Sequence, residues 1–371
     1  MNIGVPKETR VGETRVAATP DSIKKLCKKG LKVYVEKSAG SAANFPDGSY
    51  ADAGAEITDR ATAYAQDIVL KVQRPDSSEI GAFSRGSLLI SFIEPYNHDG
   101  TLEKFAQAGI NCIGMELIPR TSRAQSMDAL SSQANIAGYR AVLEAASRYG
   151  RFFPMMMTSA GSSKACRMAI LGAGVAGLQA IATGRRLGAQ VEAYDVRPEV
   201  REQITSLGAK VISIEVGETG SGQGGYAKEL SDEAKTRQQQ ALAEKLKKFD
   251  IIISTANIPG RKSPILITED AVKGMRPGSL IVDMAAANGG NCPLSEADKV
   301  VTKYGVTLIG ITNFAALTPT DASSFYAQNL VNLLGILVKT TEGKPVLDLD
   351  LKDDIIAAAL AVHKGDLCHR R

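Results

Sequence analysis

The segment Arg167-Met168-Ala169-Ile170-Leu171-Gly172-Ala173-Gly174-Val175-Ala176-Gly177-Leu178 decides the fold. A short apolar run, Arg167–Leu171, enters Gly-x-Gly-x-x-Gly, and Leu178–Leu187 beyond it reads as helix. A lone GxGxxG is a weak signal; strand, glycine turn and helix in that order are the context its mechanism requires. Gly172 permits the tight turn, Gly174 lets backbone approach a pyrophosphate, and Gly177 lets helix and strand pack closely. The helix N-terminus at Val175, Ala176 and Gly177 offers free N–H groups and a positive dipole end to phosphates. The bland alternative is a tight turn and nothing more.

The next apolar run, Gln190–Tyr194, ends at Asp195, 23 positions after Gly172. That is near the ~20 expected for a carboxylate on the adenosine ribose hydroxyls, and an acidic residue there favours NAD over NADP. Val196 and Arg197 flank it, and an Arg nearby is how a 2′-phosphate is usually accommodated.

Further outward the same rhythm continues. Lys210–Ile214, Asp250–Thr255, Ser279–Asp283 and Val306–Ile311 read as strands on one side. Ile3–Val5, Lys32–Glu36, Ile68–Val72, Leu88–Phe92 and Cys112–Met115 do so on the other. Helical stretches lie between, as in Pro20–Lys29, where Ile23, Leu26 and Cys27 share a face. Strands alternating with helices predict βαβ units. The expected fold class is α/β: two doubly wound (Rossmann-like) parallel-sheet domains with a cleft between them. The expected domains are residues 1–130 plus 321–371, discontinuous because the helix-rich tail has no sheet of its own, and 131–320, the NAD(H)-binding domain. The long stretch Ser131–Tyr149 reads as a connecting helix. Gly217–Gly225 holds five glycines in nine residues and reads as a loop, either a lid or a surface linker.

Composition removes other classes. The 371 residues carry a formal charge of +4 with no basic stripe, which argues against nucleic acid. The longest apolar run, Ile355–Val362, falls far short of the ~20 residues of a spanning helix, and Met1–Glu8 does not read as a signal peptide. Five scattered Cys without CxxC spacing read as reduced thiols of a cytosolic protein, and three separated His give no metal cluster.

Three further features carry chemical interest. Arg15 stands in Glu13-Thr14-Arg15-Val16-Ala17. Lys71 ends a strand otherwise made of Ile, Val and Leu, so its ammonium either pairs with a carboxylate or faces a cleft. The segment Pro119–Tyr139 follows the last strand of the first domain, where a doubly wound sheet presents ligand loops. It holds Arg120, Ser122, Arg123, Gln125, Asp128 and Ser131, and no nucleophile–base pair.

On these residues the chain resembles domain I, the NAD(H)-binding alpha-1 subunit, of the proton-translocating NAD(P) transhydrogenases. The resemblance runs from Ile3-Gly4-Val5-Pro6-Lys7-Glu8 to Asn329–Leu334, and Arg120-(x)4-Gln125-(x)2-Asp128 is its diagnostic part. It implies hydride transfer from bound NADH to NADP(H) on a separate domain III, coupled to proton movement by a membrane domain, with no general acid or base. It also implies a homodimer held at the inner face of the cell membrane by its partner subunits. Carried over by motif, Gln125 reaches toward the partner's nucleotide, and Arg120, Asp128 and Ser131 orient the nicotinamide carboxamide and ribose. Ser122 and Arg123 belong to the same cofactor loop. Tyr226 matches a loop that closes over nucleotide, and Gly225, Gln238 and Asn257 fall near the adenine and nicotinamide segments. The rival is alanine dehydrogenase, also of this family, which resembles the chain in Arg15 and Lys71 as substrate ligands. It needs a His acid/base where Glu94 stands in Leu88–Pro95, and His98 is out of register. A non-catalytic NAD-sensing module is the third reading.

Overall fold

In the computed structural model, which describes residues 1–214, 217, 220, 230–258 and 260–368, the chain divides into two compact units, Met1–Gln133 with Ala315–Arg371, and Ala134–Phe314.

The first unit is built on β1 (Asn2–Val5), β2 (Lys32–Glu36), β3 (Glu56–Thr58), β4 (Ile68–Leu70), β5 (Leu88–Ser91) and β6 (Asn111–Gly114). Helices α1 (Pro20–Lys28), α2 (Asp47–Asp52), α3 (Arg60–Tyr64) and α4 (Thr101–Ala108) connect them. The strands run parallel in the order β3-β2-β1-β4-β5-β6, reversing direction of travel between β1 and β4. β-Branched and aliphatic side chains explain the sheet: Ile3, Val33, Ile68, Leu88 and Ile90 fill one face, while Leu89 and Cys112 pack with Phe105 on the other. Thr19 and Ser22 form a reciprocal capping box at the start of α1, with Pro20 at its first position.

The helix α5 (Ala129–Arg148) contains the boundary between the units. In the second unit a hairpin, β7 (Met156–Thr158) and β8 (Gly161–Ser163), precedes β9 (Arg167–Leu171), β10 (Gln190–Tyr194), β11 (Lys210–Val211), β12 (Ile251–Ser254), β13 (Leu280–Asp283), β14 (Val300–Lys303) and β15 (Val306–Ile309). The helices are α6 (Val175–Arg186), α7 (Arg201–Ser206), α8 (Asp232–Leu246) and α9 (Glu269–Gly274). The order is β11-β10-β9-β12-β13-β15-β14, parallel except for β14. Ile170, Ile253 and Val282 face one layer of core, and Leu171, Ile252 and Ile281 the other. Both sheets are thus Rossmann-like, as the alternation of runs predicts.

The tail departs from the sequence reading. After α10 (Pro319–Leu337) come a hairpin, β16 (Val338–Thr341) and β17 (Lys344–Leu347), then α11 (Asp354–Ala359), β18 (Leu360–His363) and β19 (Asp366–Leu367). β18 pairs antiparallel with β6 and extends the first sheet. The apolar run Ile355–Val362 is therefore half helix and half strand; a continuous apolar run of that length does not tell the two apart. Asp353 fixes the helical half by accepting from the Ile355 and Ile356 N–H groups. Among the described residues no helix is long and apolar enough to cross a membrane.

Candidate functional site

The glycine turn lies at the C-terminal end of β9, where the second sheet reverses between β9 and β12. Gly172 has φ +95°, and an ideal Cβ there would lie 2.7 Å from Thr255 Oγ1. A Cβ on Gly177 would lie 1.9 Å from the Gly172 carbonyl oxygen. These two glycines are required by the chain itself. Gly174 is different: a Cβ there meets nothing within 4 Å. It is also the N-cap of α6 and supplies no side chain to that end, so the Val175, Ala176 and Gly177 N–H groups have no partner among the described residues. Uncapped donors beside an open backbone position fit a pyrophosphate. Gly138 of α5 belongs to the same construction, because a Cβ there would come 2.1 Å from the Ala176 carbonyl oxygen. A glycine inside a helical pattern is the only sequence sign of it.

Asp195 sits beside this turn. Its Oδ2 accepts the Ala173 N–H at 2.7 Å and Arg197 Nη2 at 2.8 Å, and its Oδ1 accepts the Arg197 N–H and Nε, both at 2.9 Å. The residue type that suggested a 2′-phosphate is thus ion-paired to the residue type that suggested a ribose. Gln238 is buried on α8 and donates to the Tyr194 hydroxyl at 2.9 Å, placing it behind β10. Asn257 is exposed past the end of β12 and accepts from Asn288 Nδ2 at 3.1 Å. Val196 holds the Gly220 N–H through its carbonyl at 3.2 Å. Gly225 and Tyr226 lie outside the described residues, as does most of Gly217–Gly225.

In the first unit, residues 122–127 form a 3-10 turn leading into α5. Asp128 caps α5: it accepts the Ser131 N–H at 2.9 Å and the Ser131 hydroxyl at 2.6 Å, so these two predicted residues meet. Arg120, Ser122 and Gln125 are exposed, and the Gln125 side chain has no partner among the described residues. Arg123 is committed elsewhere, forming a fork on Asp353 at 2.6 and 2.8 Å with Asp354 beside it. It holds the Asp353 carboxyl down to about 2. Two residues that sequence reasoning did not single out anchor this turn. Asn329 and Asn332 of α10 donate to the Ser126 carbonyl at 2.9 and 2.8 Å, and Asn329 Oδ1 accepts from the Ser132 hydroxyl at 2.7 Å. Their spacing of three on one helix is the signal that shows it.

Arg15 and Lys71 occupy the other switch point, past β1 and β4. Arg15 forks onto Glu13 at 2.8 and 2.6 Å and donates to Gln133 at 2.8 Å; burial pushes Glu13 up, but Arg15 outweighs it and brings the carboxyl to about 2. Lys71 is 1% exposed and lies 3.4 Å from Glu8, 3.5 Å from Glu79 and 3.2 Å from the Tyr64 hydroxyl. Of the two readings of Lys71, pairing with carboxylates is the one observed. Burial raises the Glu8 carboxyl despite Lys71. Glu94 is tied to Arg10 at 2.5 Å and Arg74 at 3.3 Å, which overcome its burial and hold it below the ordinary carboxylate value. Among the described residues no cluster of His, Cys, Asp and Glu could hold a metal ion.

A glycine-turn α/β protein of two Rossmann-like units falls in a known class. Residues 4–137 match the family Alanine dehydrogenase/PNT, N-terminal domain, and residues 141–370 match Alanine dehydrogenase/PNT, C-terminal domain; the chain belongs to this family. It is 45% identical to an NAD(P) transhydrogenase subunit alpha chain of Rhodospirillum rubrum, covering 100% of this chain and 98% of that one. The solved transhydrogenase from Sinorhizobium meliloti superposes with a TM-score of 0.87 at 41% identity, covering 100% of this chain and 99% of that one. Alanine dehydrogenase 1 of Staphylococcus aureus (strain Mu50 / ATCC 700699) is 30% identical over 100% of this chain and 95% of its own length.

Proposed function

We propose that this chain is the NAD(H)-binding component of a proton-translocating transhydrogenase, exchanging hydride with NADP(H) held on a separate domain III. Full-length similarity at 45% to a transhydrogenase alpha subunit supports the class. The observation that carries it against the dehydrogenase is Glu94. Where an alanine dehydrogenase needs a proton-transferring His, this chain has a carboxylate kept ionised by Arg10 and Arg74, unable to deliver a proton near neutral pH. Arg15, which that reaction would turn toward a substrate carboxylate, already holds Glu13 in both forks.

Bound NADH supplies the hydride, so the protein's contribution is positioning. The N–H groups opening α6 hold the pyrophosphate against Gly174, and Asp195 takes the adenosine ribose hydroxyls, favouring NADH over NADPH. Arg120, Asp128 and Ser131 orient the nicotinamide end, and Gln125 reaches the partner's nucleotide. Gly225, Tyr226, Gln238 and Asn257 complete the nucleotide's surroundings. The functional unit is a homodimer on the inner face of the cell membrane, held there by a membrane domain that couples transfer to proton movement. Mixing the protein with NADP(H)-loaded domain III and following NADH-dependent reduction tests this. Oxidation of NADH by domain III supports it; amination of pyruvate by NADH and ammonia without response to domain III refutes it.

A further inference from the structure

An ionised carboxylate accepts hydrogen bonds along about four lone-pair directions, and the protein itself fills all four on Asp195. Two donors are backbone N–H groups, from Ala173 on Oδ2 and Arg197 on Oδ1. The other two come from one guanidinium, with Nε on Oδ1 and Nη2 on Oδ2. The side chains of Arg197 and Asp195 are only 10% and 6% exposed, so this is not a loose surface pair. A vicinal diol presents the same pattern as the guanidinium edge: two adjacent donors, one for each carboxylate oxygen. Removing the guanidinium leaves one acceptor direction on each oxygen while the two backbone donors keep the carboxylate in place.

We propose that Arg197 is an internal stand-in for the ribose diol, which must be exchanged before nucleotide binds, and that it is thereby a specificity-determining residue. The proposal rests on Asp195 being the ribose ligand. The exchange has two consequences. NADH binds more weakly than it would to an unpaired Asp195, because a charge-assisted fork must first open. Rejection of a 2′-phosphate is softened, because the phosphate approaches a neutralised pair instead of a bare carboxylate.

The test measures NADH and NADPH affinity by nucleotide fluorescence in Arg197→Met, Arg197→Lys and Asp195→Asn, with thermal melts to establish folding. Arg197→Met is expected to bind NADH about fivefold more tightly or better, and to raise the NADH/NADPH preference about tenfold. Arg197→Lys, whose single ammonium cannot bridge both oxygens, is expected to bind NADH more tightly than wild type by a smaller factor. It carries the comparison if the methionine variant does not fold. Unchanged or weaker NADH binding in the folded Arg197 variants overturns the exchange. Asp195→Asn separates the two levels: a loss of NADH affinity of about tenfold leaves the ribose reading standing whatever Arg197 does, and no loss overturns both.

Discussion

Glu116 offers a prediction whose size follows from its surroundings. It stands just beyond β6, and its Oε1 accepts the Ile93 N–H at 2.9 Å and the Glu94 N–H at 2.7 Å. Burial raises its carboxyl, the backbone donors oppose this, and the Glu94 charge adds to the rise, leaving it at about 7 against an ordinary 4.5. The folded protein therefore holds this proton more tightly than the unfolded chain does. Its contribution to stability is fully present below about pH 4.5, falls as pH rises, and is lost above about 7. At about 1.4 kcal/mol per tenfold change in proton affinity, the loss is roughly 3 kcal/mol. Glu116→Gln imitates the protonated form, since one amide oxygen can still accept both N–H groups. The variant should match wild type near pH 5 and exceed it near pH 9 by roughly 3 kcal/mol, or about 6–12 °C in melting temperature. Circular-dichroism melts of both proteins at the two pH values measure this, and other titrating groups cancel in the comparison. An equal melting difference at pH 5 and pH 9 would refute the reasoning.

Other outcomes follow from the same kind of contact. Gly174→Ala should melt like wild type yet lose NADH affinity at least tenfold, because its Cβ meets no protein atom but stands where the pyrophosphate approaches; Gly177→Ala should lower the melting temperature itself, its Cβ falling 1.9 Å from a carbonyl oxygen. Lys71→Met strands Glu8 and Glu79 in the interior and should cost roughly 3–5 kcal/mol by denaturant unfolding, whereas a Lys71 serving only a substrate would leave stability unchanged. Gln125→Asn should slow hydride transfer to domain III severely with little change in NADH affinity, since the Gln125 side chain is exposed; a collapse of NADH affinity would make it a cofactor ligand instead. Asn329→Leu with Asn332→Leu releases the Ser126 carbonyl and should reduce the transfer rate while NADH affinity holds, and an unaltered rate would remove these asparagines from positioning.

What was legible in the sequence divides along physical lines. Strands buried on both faces announce themselves as apolar runs, so β9, β10, β12 and β13 are readable to within a residue or two at each end. β3, Glu56–Thr58, and β14, Val300–Lys303, are partly exposed edge strands with mixed composition, and nothing in their pattern separates them from loops. β18 was hidden because its apolar residues continue the face of α11. At the site, glycines read well because their reason is local: Gly172 and Gly177 answer to atoms within the same turn or on the next strand. Partnerships across long separations read poorly. Arg123 with Asp353, Asp195 with Ala173, and Asn329 with Ser126 join residues from 22 to 230 positions apart, so only the fold can reveal them.

The two units also explain why the same strand order serves two ends. Each sheet reverses beside its first strand, which is where doubly wound sheets offer ligand crevices. In the first unit the residues delivered there are long and charged, and they satisfy one another: Arg15 with Glu13, Lys71 with Glu8, Glu79 and Tyr64, all nearly without solvent contact. A ligand entering would have to break ion pairs that are strong because they are desolvated. In the second unit the chain delivers glycines and the bare start of a twelve-residue helix, whose first N–H groups find no acceptor among the described residues. Orphan donors at a dipole's positive end are stabilised by an anion, and no carboxylate side chain occupies the open position at Gly174. Identical topology thus yields one switch point saturated by its own side chains and one left unsatisfied. That asymmetry, more than the strand order, argues for assigning the nucleotide to the second unit.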